Sequence, residues 1–336
     1  METIENTHKT WLVTGVAGFI GSHLLEFLLK RNQKVIGLDS FITGKKDNID
    51  NVMLGLPEEN KKNFLFVEGD IRDLKICHEV TQGVDYVLHQ AALGSIPRSL
   101  KDPLTTNDIN VTGFLTLLHA AQKNKVARFV YASSSSVYGD SPDLPKVEEK
   151  TGKLLSPYAA SKKIDELYGQ ALYKCYGIPT IGLRYFNVFG PRQDPESVYA
   201  AVIPLWANSL LKEQPCYING DGLHSRDFCY IENVVQANIK AALTDNHKAF
   251  GDVFNIACGK RTTLLQLYSL LNEFLEIAKK SSPIHREERV GDVKHSLASI
   301  DKAKDIIGYN PLYSFEEGLR ITAKWFSQQK LKEEKE

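Results

Sequence analysis

Over roughly the first 185 residues, apolar and polar positions follow two alternating rhythms. Short runs rich in β-branched and aromatic side chains, at 10–14, 34–38, 64–67, 86–88, 129–131 and 180–183, read as strands. Helix-length segments separate most of them. In residues 19–30, apolar Ile20, Leu24, Phe27 and Leu28 recur at helical spacing on one face. Strand–helix alternation of this kind implies right-handed crossovers and predicts an α/β fold, a doubly wound parallel sheet covered on both faces. Ligands of such sheets bind beyond the carboxyl ends of the strands.

After Asn187 the pattern loosens, punctuated by Pro191, Pro195, Pro204 and Pro215. This predicts a nucleotide-binding unit over 1–187, a smaller mixed C-terminal, mainly substrate-binding region over 188–327, and a solvated charged tail over 328–336. A length of 336 residues suits two such units. Lys plus Arg and Asp plus Glu are both 41, so the net charge is zero and there is no overall field for nucleic acid or a membrane surface. Any anionic ligand must be held by local cations. The apolar run 198–211 is short and interrupted by Pro204, Asn208 and Ser209, which excludes it as a membrane span. Residues 1–10 are polar and lack the apolar core of a signal peptide. Five cysteines with no C-x-x-C pair point to reduced thiols in the cytoplasm, with neither disulfides nor a metal site.

The first strand runs into Gly15-Val16-Ala17-Gly18-Phe19-Ile20-Gly21 and then a helix. Glycines here let the backbone turn tightly and approach a pyrophosphate at the positive helix N-terminus, as in Rossmann-type sheets. The second strand ends at Asp39, 18 residues beyond Gly21. A carboxylate there accepts from both ribose hydroxyls and repels a 2′-phosphate, which favours NAD over NADP. Asp70, after the third strand, is placed to meet the adenine edge.

Tyr158-Ala159-Ala160-Ser161-Lys162 is the only Tyr-x-x-x-Lys in the chain and opens the helix after the fifth strand. The spacing sets phenol and ammonium on one helix face. At the end of that strand stands Ser133-Ser134-Ser135-Ser136-Val137-Tyr138-Gly139. Removing a proton from a hydroxyl as hydride leaves the same carbon needs a base active near neutrality. A free phenol ionises near pH 10, so this takes roughly 4 kcal/mol of differential stabilisation, from a neighbouring ammonium and a positive nicotinamide. A serine hydroxyl then holds the substrate oxygen.

With these motifs the chain, from Thr10 to about Phe326, resembles the extended short-chain dehydrogenase/reductases, and among them the nucleotide-sugar 4-epimerases. The resemblance implies Tyr158 as base with Ser134 and Lys162 assisting, and Asn110 as a structural amide behind the site. It implies NAD contacts from the glycine loop including Phe19 and Ile20, then Asp39, Ser40, Thr43, Gly44, Asp70, Ile71, Gln90, Ala91, Ala92 and Tyr185, besides Asn110, Tyr158 and Lys162. Ser135 and Ser136 stand where related 4,6-dehydratases carry Asp-Glu, and decarboxylases usually carry a Glu in the same loop, so the 4-keto sugar is expected to be epimerised. The same resemblance places Asn187, Arg226 and Arg289 on the diphosphate and Asp292 on the uridine ribose. Ala201, Val202, Tyr217, Asn219 and Arg261 occupy comparable substrate positions, and Ser135 and Ser136 line the sugar. Ser296 stands where epimerases restricted to UDP-glucose and UDP-galactose carry a large Tyr, and Gly94 and Ser95 would line the acetamido side. The expected reaction is therefore UDP-N-acetylglucosamine/UDP-N-acetylgalactosamine 4-epimerisation. UDP-glucose or UDP-uronate epimerisation is the alternative, and a nucleotide-sugar decarboxylase a more distant one. A homodimer through helices near 104–122 and 158–176 is also implied.

Overall fold

The structure is a computed structural model that describes residue 4 and residues 8–197, 200–277, 282–288 and 294–333. Its centre is a seven-stranded, all-parallel sheet built from β1 (Thr10–Thr14), β2 (Lys34–Asp39), β3 (Phe64–Glu68), β4 (Tyr86–His89), β5 (Arg128–Ser134), β6 (Thr180–Tyr185) and the strand Asp252–Ile256. The spatial order is Asp252–Ile256, β6, β5, β4, β1, β2, β3. Val13 of β1 lies beside Gly37 of β2 on one side and Leu88 of β4 on the other. The chain reverses direction across the sheet between β1 and β4, and a crevice opens at such a point.

Side chains leave each strand alternately to the two faces. Trp11 and Val13 enter one apolar cluster with Leu24, Leu25 and Leu28 of the first helix, Phe19–Leu29. Leu12 enters the other, with Phe114, Leu117 and Leu118 of the helix Gly113–Lys123 and with Phe129. The expected doubly wound α/β architecture is what the structure contains.

The boundary at 187 does not divide the sheet. The strand Asp252–Ile256, from the later segment, pairs with β6 from Asp252↔Ile181 to Ile256↔Tyr185. The helix Ile231–Leu243 is buried against the same sheet through Val234, Val235 and Ile239. Pro204 sits in the first turn of the helix Val202–Leu211, where its missing N–H leaves no bond unmade. The charged end also differs from expectation: the helix Phe315–Glu333 runs through most of it, anchored by Phe326, and Lys330 Nζ donates to Leu211 O at 2.6 Å. An apolar stripe upstream, with Ala323 and Phe326 buried, carries the helix into the charged segment. No described helix is long and apolar enough to cross a membrane.

Candidate active site

Three cavities follow one another along the carboxyl ends of the strands. The first, about 330 Å³, lies over the switch between β1 and β4, and every cofactor position from Gly15 to Ala92 named above lines it. Gly15 has φ +66°, and a Cβ there would lie 2.8 Å from Ala91 N. A Cβ on Gly21 would lie 2.0 Å from Gly15 O. Neither neighbour can yield, because both are backbone, so glycine alone permits this loop. Asp39, at the end of β2, accepts from Ala17 N (2.9 Å) and Phe41 N (2.8 Å) and is largely buried. Burial pushes its carboxyl above the ordinary range, while the backbone donors pull the other way. Hydrogen bonding from Arg72 holds the Asp70 carboxyl below the ordinary range, with guanidinium contacts of 3.0 and 2.6 Å.

The second cavity, about 770 Å³, contains the catalytic candidates: Ser134, Ser135, Ser136, Tyr158, Tyr185, Asn187, Arg226 and Ser296 all line it. Strand alternation explains how the serine loop is set. Ser134, paired with Tyr185 across β5 and β6, reaches the cavity, while Ser133 turns under the catalytic helix and donates to Glu166 Oε1 at 2.7 Å. That helix, Pro157–Tyr176, begins with Ser156 capping Ala159 N and Pro157 in its first turn, and ends at Gly177. Tyr158 therefore opens the helix at the cavity wall, and Lys162, one turn on, is buried and donates to Asp165 Oδ2 at 3.2 Å. Asn110 sits in a π-turn, Asp108–Thr112, that interrupts the helix expected near 104–122. Its Oδ1 accepts from Leu93 N (2.7 Å) and its Nδ2 donates to Leu93 O (3.2 Å) and Ser161 Oγ (3.0 Å). It ties the loop after β4 to the catalytic helix. Tyr185 OH donates to Gln90 Oε1 at 3.1 Å, joining the walls of the first and second cavities.

The third cavity, about 270 Å³, is lined by Ala201, Val202, Tyr217 and Asn219, and shares Asn187 and Arg226 with the second. Arg226 Nη1 donates to the carbonyls of Ser225 and Lys294, both at 3.1 Å. The Tyr217 ring lies under the Arg286 guanidinium, 3.3 Å from its centroid. Arg261 is exposed and is not brought to the walls of these three cavities. Gly94 lines the first cavity, and Ser95 Oγ caps the helix Ile96–Lys101 by accepting from Arg98 N at 3.1 Å. It is Ile96, Pro97 and Leu100 of that helix that reach the second cavity. Arg289 and Asp292 lie outside the described residues.

Sequence reasoning missed those apolar wall residues, and also Lys146, Trp206 and Phe228. The Ser95 cap followed by Ile96-Pro97 was the available signal. It missed the buried network beneath the serine loop as well, where Arg184 donates to Glu166 (2.7 and 2.9 Å), Tyr138 OH (3.0 Å) and Glu148 O (2.9 Å). Among the described residues no cluster of His, Cys, Asp or Glu is placed to hold a metal ion.

A dinucleotide-sized crevice over a parallel sheet, continuous with a Ser–Tyr–Lys centre, defines an extended short-chain dehydrogenase/reductase. Residues 11–257 match the NAD dependent epimerase/dehydratase family, and the chain belongs to it. It is similar to the UDP-N-acetylglucosamine 4-epimerase of Methanobrevibacter ruminantium M1, solved in complex with UDP-N-acetylmuramic acid, at 39% identity and TM-score 0.88 over 96% of this chain and 99% of that one. The UDP-glucose 4-epimerase of Thermotoga maritima with UDP-glucose is 34% identical at TM-score 0.86, over 95% and 99% of the two chains. The UDP-glucuronate 4-epimerase of Thermodesulfobacterium geofontis is 34% identical over 94% of this chain and 95% of that protein.

Proposed function

We propose that this chain is an NAD-dependent UDP-sugar 4-epimerase whose substrates are UDP-N-acetylglucosamine and UDP-N-acetylgalactosamine. The observation that carries this reading is the wall around Tyr158: its ionisable groups are Tyr138, Tyr158, Tyr185, Lys146 and Arg226, and no carboxylate lines it among the described residues. Elimination of water from a 4-keto sugar needs an extra acid and base, whereas epimerisation needs only that the sugar turn over. Ser296 at the wall leaves room for an acetamido group, and the similar M. ruminantium enzyme carries that substrate in its name.

The first cavity fits NAD. Its glycine loop leaves no space for a side chain, and buried Asp39 offers carboxylate oxygens to ribose hydroxyls. When bound, NAD supplies the acceptor and then the donor of hydride at the sugar's C4. Tyr158 takes the proton from the C4 hydroxyl and returns it after the sugar has rotated. Lys162 favours the phenolate by its charge, and Ser134 holds the C4 oxygen. Arg226 and Asn187, at the junction of the second and third cavities, bind the diphosphate, for which a guanidinium fork is suited. By the family resemblance alone, Arg289 is assigned to the diphosphate and Asp292 to the uridine ribose; both lie outside the described residues. The exposed leucines Leu104 and Leu167 on neighbouring helices support a homodimer, and five cysteines without a disulfide support a cytoplasmic enzyme.

The test is product analysis by NMR after incubating the holoenzyme with UDP-N-acetylglucosamine, UDP-glucose and UDP-glucuronate. Conversion of the acetylated sugar is expected to be fastest, and Ser296→Tyr is expected to abolish it while sparing UDP-glucose. Faster turnover of UDP-glucose or UDP-glucuronate by the native chain overturns the substrate assignment.

A further inference from the structure

The buried anion behind Lys162 has no part in the roles above. Asp165 lies nearly one turn further along the catalytic helix and is wholly buried. Its Oδ2 accepts from Lys162 Nζ at 3.2 Å, while its Oδ1 has no partner among the described residues. Burial pushes this carboxyl up to about 7, against the pull of Lys162.

Among the described residues Asp165 is the one anion paired with Lys162. On the same helix, both oxygens of Glu166 are engaged by Arg184 of β6, with Ser133 and Lys163 also donating to them. From β4, His89 shares a 2.7 Å hydrogen bond with Thr14, and burial together with the charge of Lys162 pushes it down to about 3. It is therefore neutral at working pH. From β5, burial and the carboxylates Glu166 and Asp165 hold the Tyr131 phenol well above its ordinary range, so it too is neutral. The π-turn contributes the uncharged amide of Asn110, on Ser161, while its carboxylate, Asp108, pairs with Arg72.

We propose that Asp165 is a positioning residue that, through Lys162, sets the net charge facing Tyr158 and so the pH at which the centre accepts a substrate proton. The proposal rests on Tyr158 being the base. With Asp165 ionised the pair is neutral; with it protonated, Lys162 presents an uncompensated positive charge. Tyr158 and Asp165 are seven residues apart, about 10 Å along the helix axis. A unit charge at that range, in an effective dielectric of about 20, displaces a titration by about one pH unit.

Asp165→Asn fixes the neutral form with little change of shape. In the NAD-loaded enzyme, the acidic limb of the kcat profile for epimerisation is expected to move about one pH unit lower. Asp165→Ser should do the same, and Asp165→Glu, which restores the charge, should leave the limb in place. Thermal melts and bound NAD report folding separately. A limb that stays or rises in a folded neutral variant overturns the proposal. So does failure of both neutral variants to fold, which would make the residue purely structural. Tyr158→Phe run in parallel separates the two readings. Surviving activity there removes the base assignment itself, whereas an inactive Tyr158→Phe with an unmoved Asp165→Asn limb removes only the role of Asp165.

Discussion

Replacing Arg184 with Met would take the guanidinium out of the network beneath the serine loop. Arg184 is 1% exposed, and Glu166, which it grips with two nitrogens, is 6% exposed. Burial alone would raise the Glu166 carboxyl, but Arg184, with Ser133 and Lys163, holds it below the ordinary range. Removing one partner of such a pair costs about 3–5 kcal/mol, because the remaining charge is left in the interior. At roughly 2.1 cal/mol/K of unfolding entropy per residue, a chain of this length loses about 4–7 °C in Tm. Differential scanning calorimetry of the NAD-loaded protein measures it. The second readout is kinetic. Glu166 fixes Ser133, the residue before Ser134, so kcat should fall more than KM rises. The double replacement Arg184→Met with Glu166→Leu removes both charges and should recover most of the Tm. It should not recover kcat, since Glu166→Leu takes away the acceptor of Ser133. A single replacement that melts within about 1 °C of the native chain, or a double one less stable than the single, would refute the reasoning.

Acid stability depends on Glu26 of the first helix. Burial opposes its ionisation, yet Arg192, at 2.8 Å, and Lys30 outweigh this and hold the carboxyl down to about 2. A depressed folded value means stabilisation present above the unfolded value and lost as pH falls through the window from about 4.5 to about 2. The loss is on the order of 2–3 kcal/mol. Urea melts between pH 6 and pH 2.5 should show it, and Glu26→Gln should flatten that part of the curve. Gly21→Ala brings a methyl 2.0 Å from Gly15 O, so the loop must open. Bound NAD, read by absorbance after denaturation, should be lost while far-UV circular dichroism is kept.

The glycine loop, Asp39, Ser134, Tyr158 and Lys162 were legible in the sequence because each belongs to a compact local motif placed by a strand or helix end. The strand Asp252–Ile256 was not read, because its partner β6 lies about 70 residues earlier and only contact in space distinguishes it from other short apolar runs. Glu148, Glu166, Arg184 and Asn255 read as ordinary surface polarity until they are seen buried together, with Tyr138 OH bonded to Asn255 at 2.6 Å and Arg184 at 3.0 Å. The loop after β4 was legible only in part: Ser95 caps the helix that follows, and Ile96 and Pro97, which carry no polar signal, line the second cavity. The π-turn at Asn110 carries no composition signal, since its one extra residue per turn is paid for by contacts with Leu93 and Ser161.

The late arrival of the seventh strand has a consequence for how the molecule is made. At synthesis rates of about 5–20 residues per second, the edge of β6 stands unpaired for roughly 4–14 s before Asp252–Ile256 leaves the ribosome. For that interval the nascent sheet is a template for any other extended chain nearby. A protein released after Asn187 would keep the β6 edge open, in addition to the β3 edge that the full sheet already leaves unpaired. The first 187 residues are therefore not a closed unit: their sheet is completed only by a strand translated about 70 residues later.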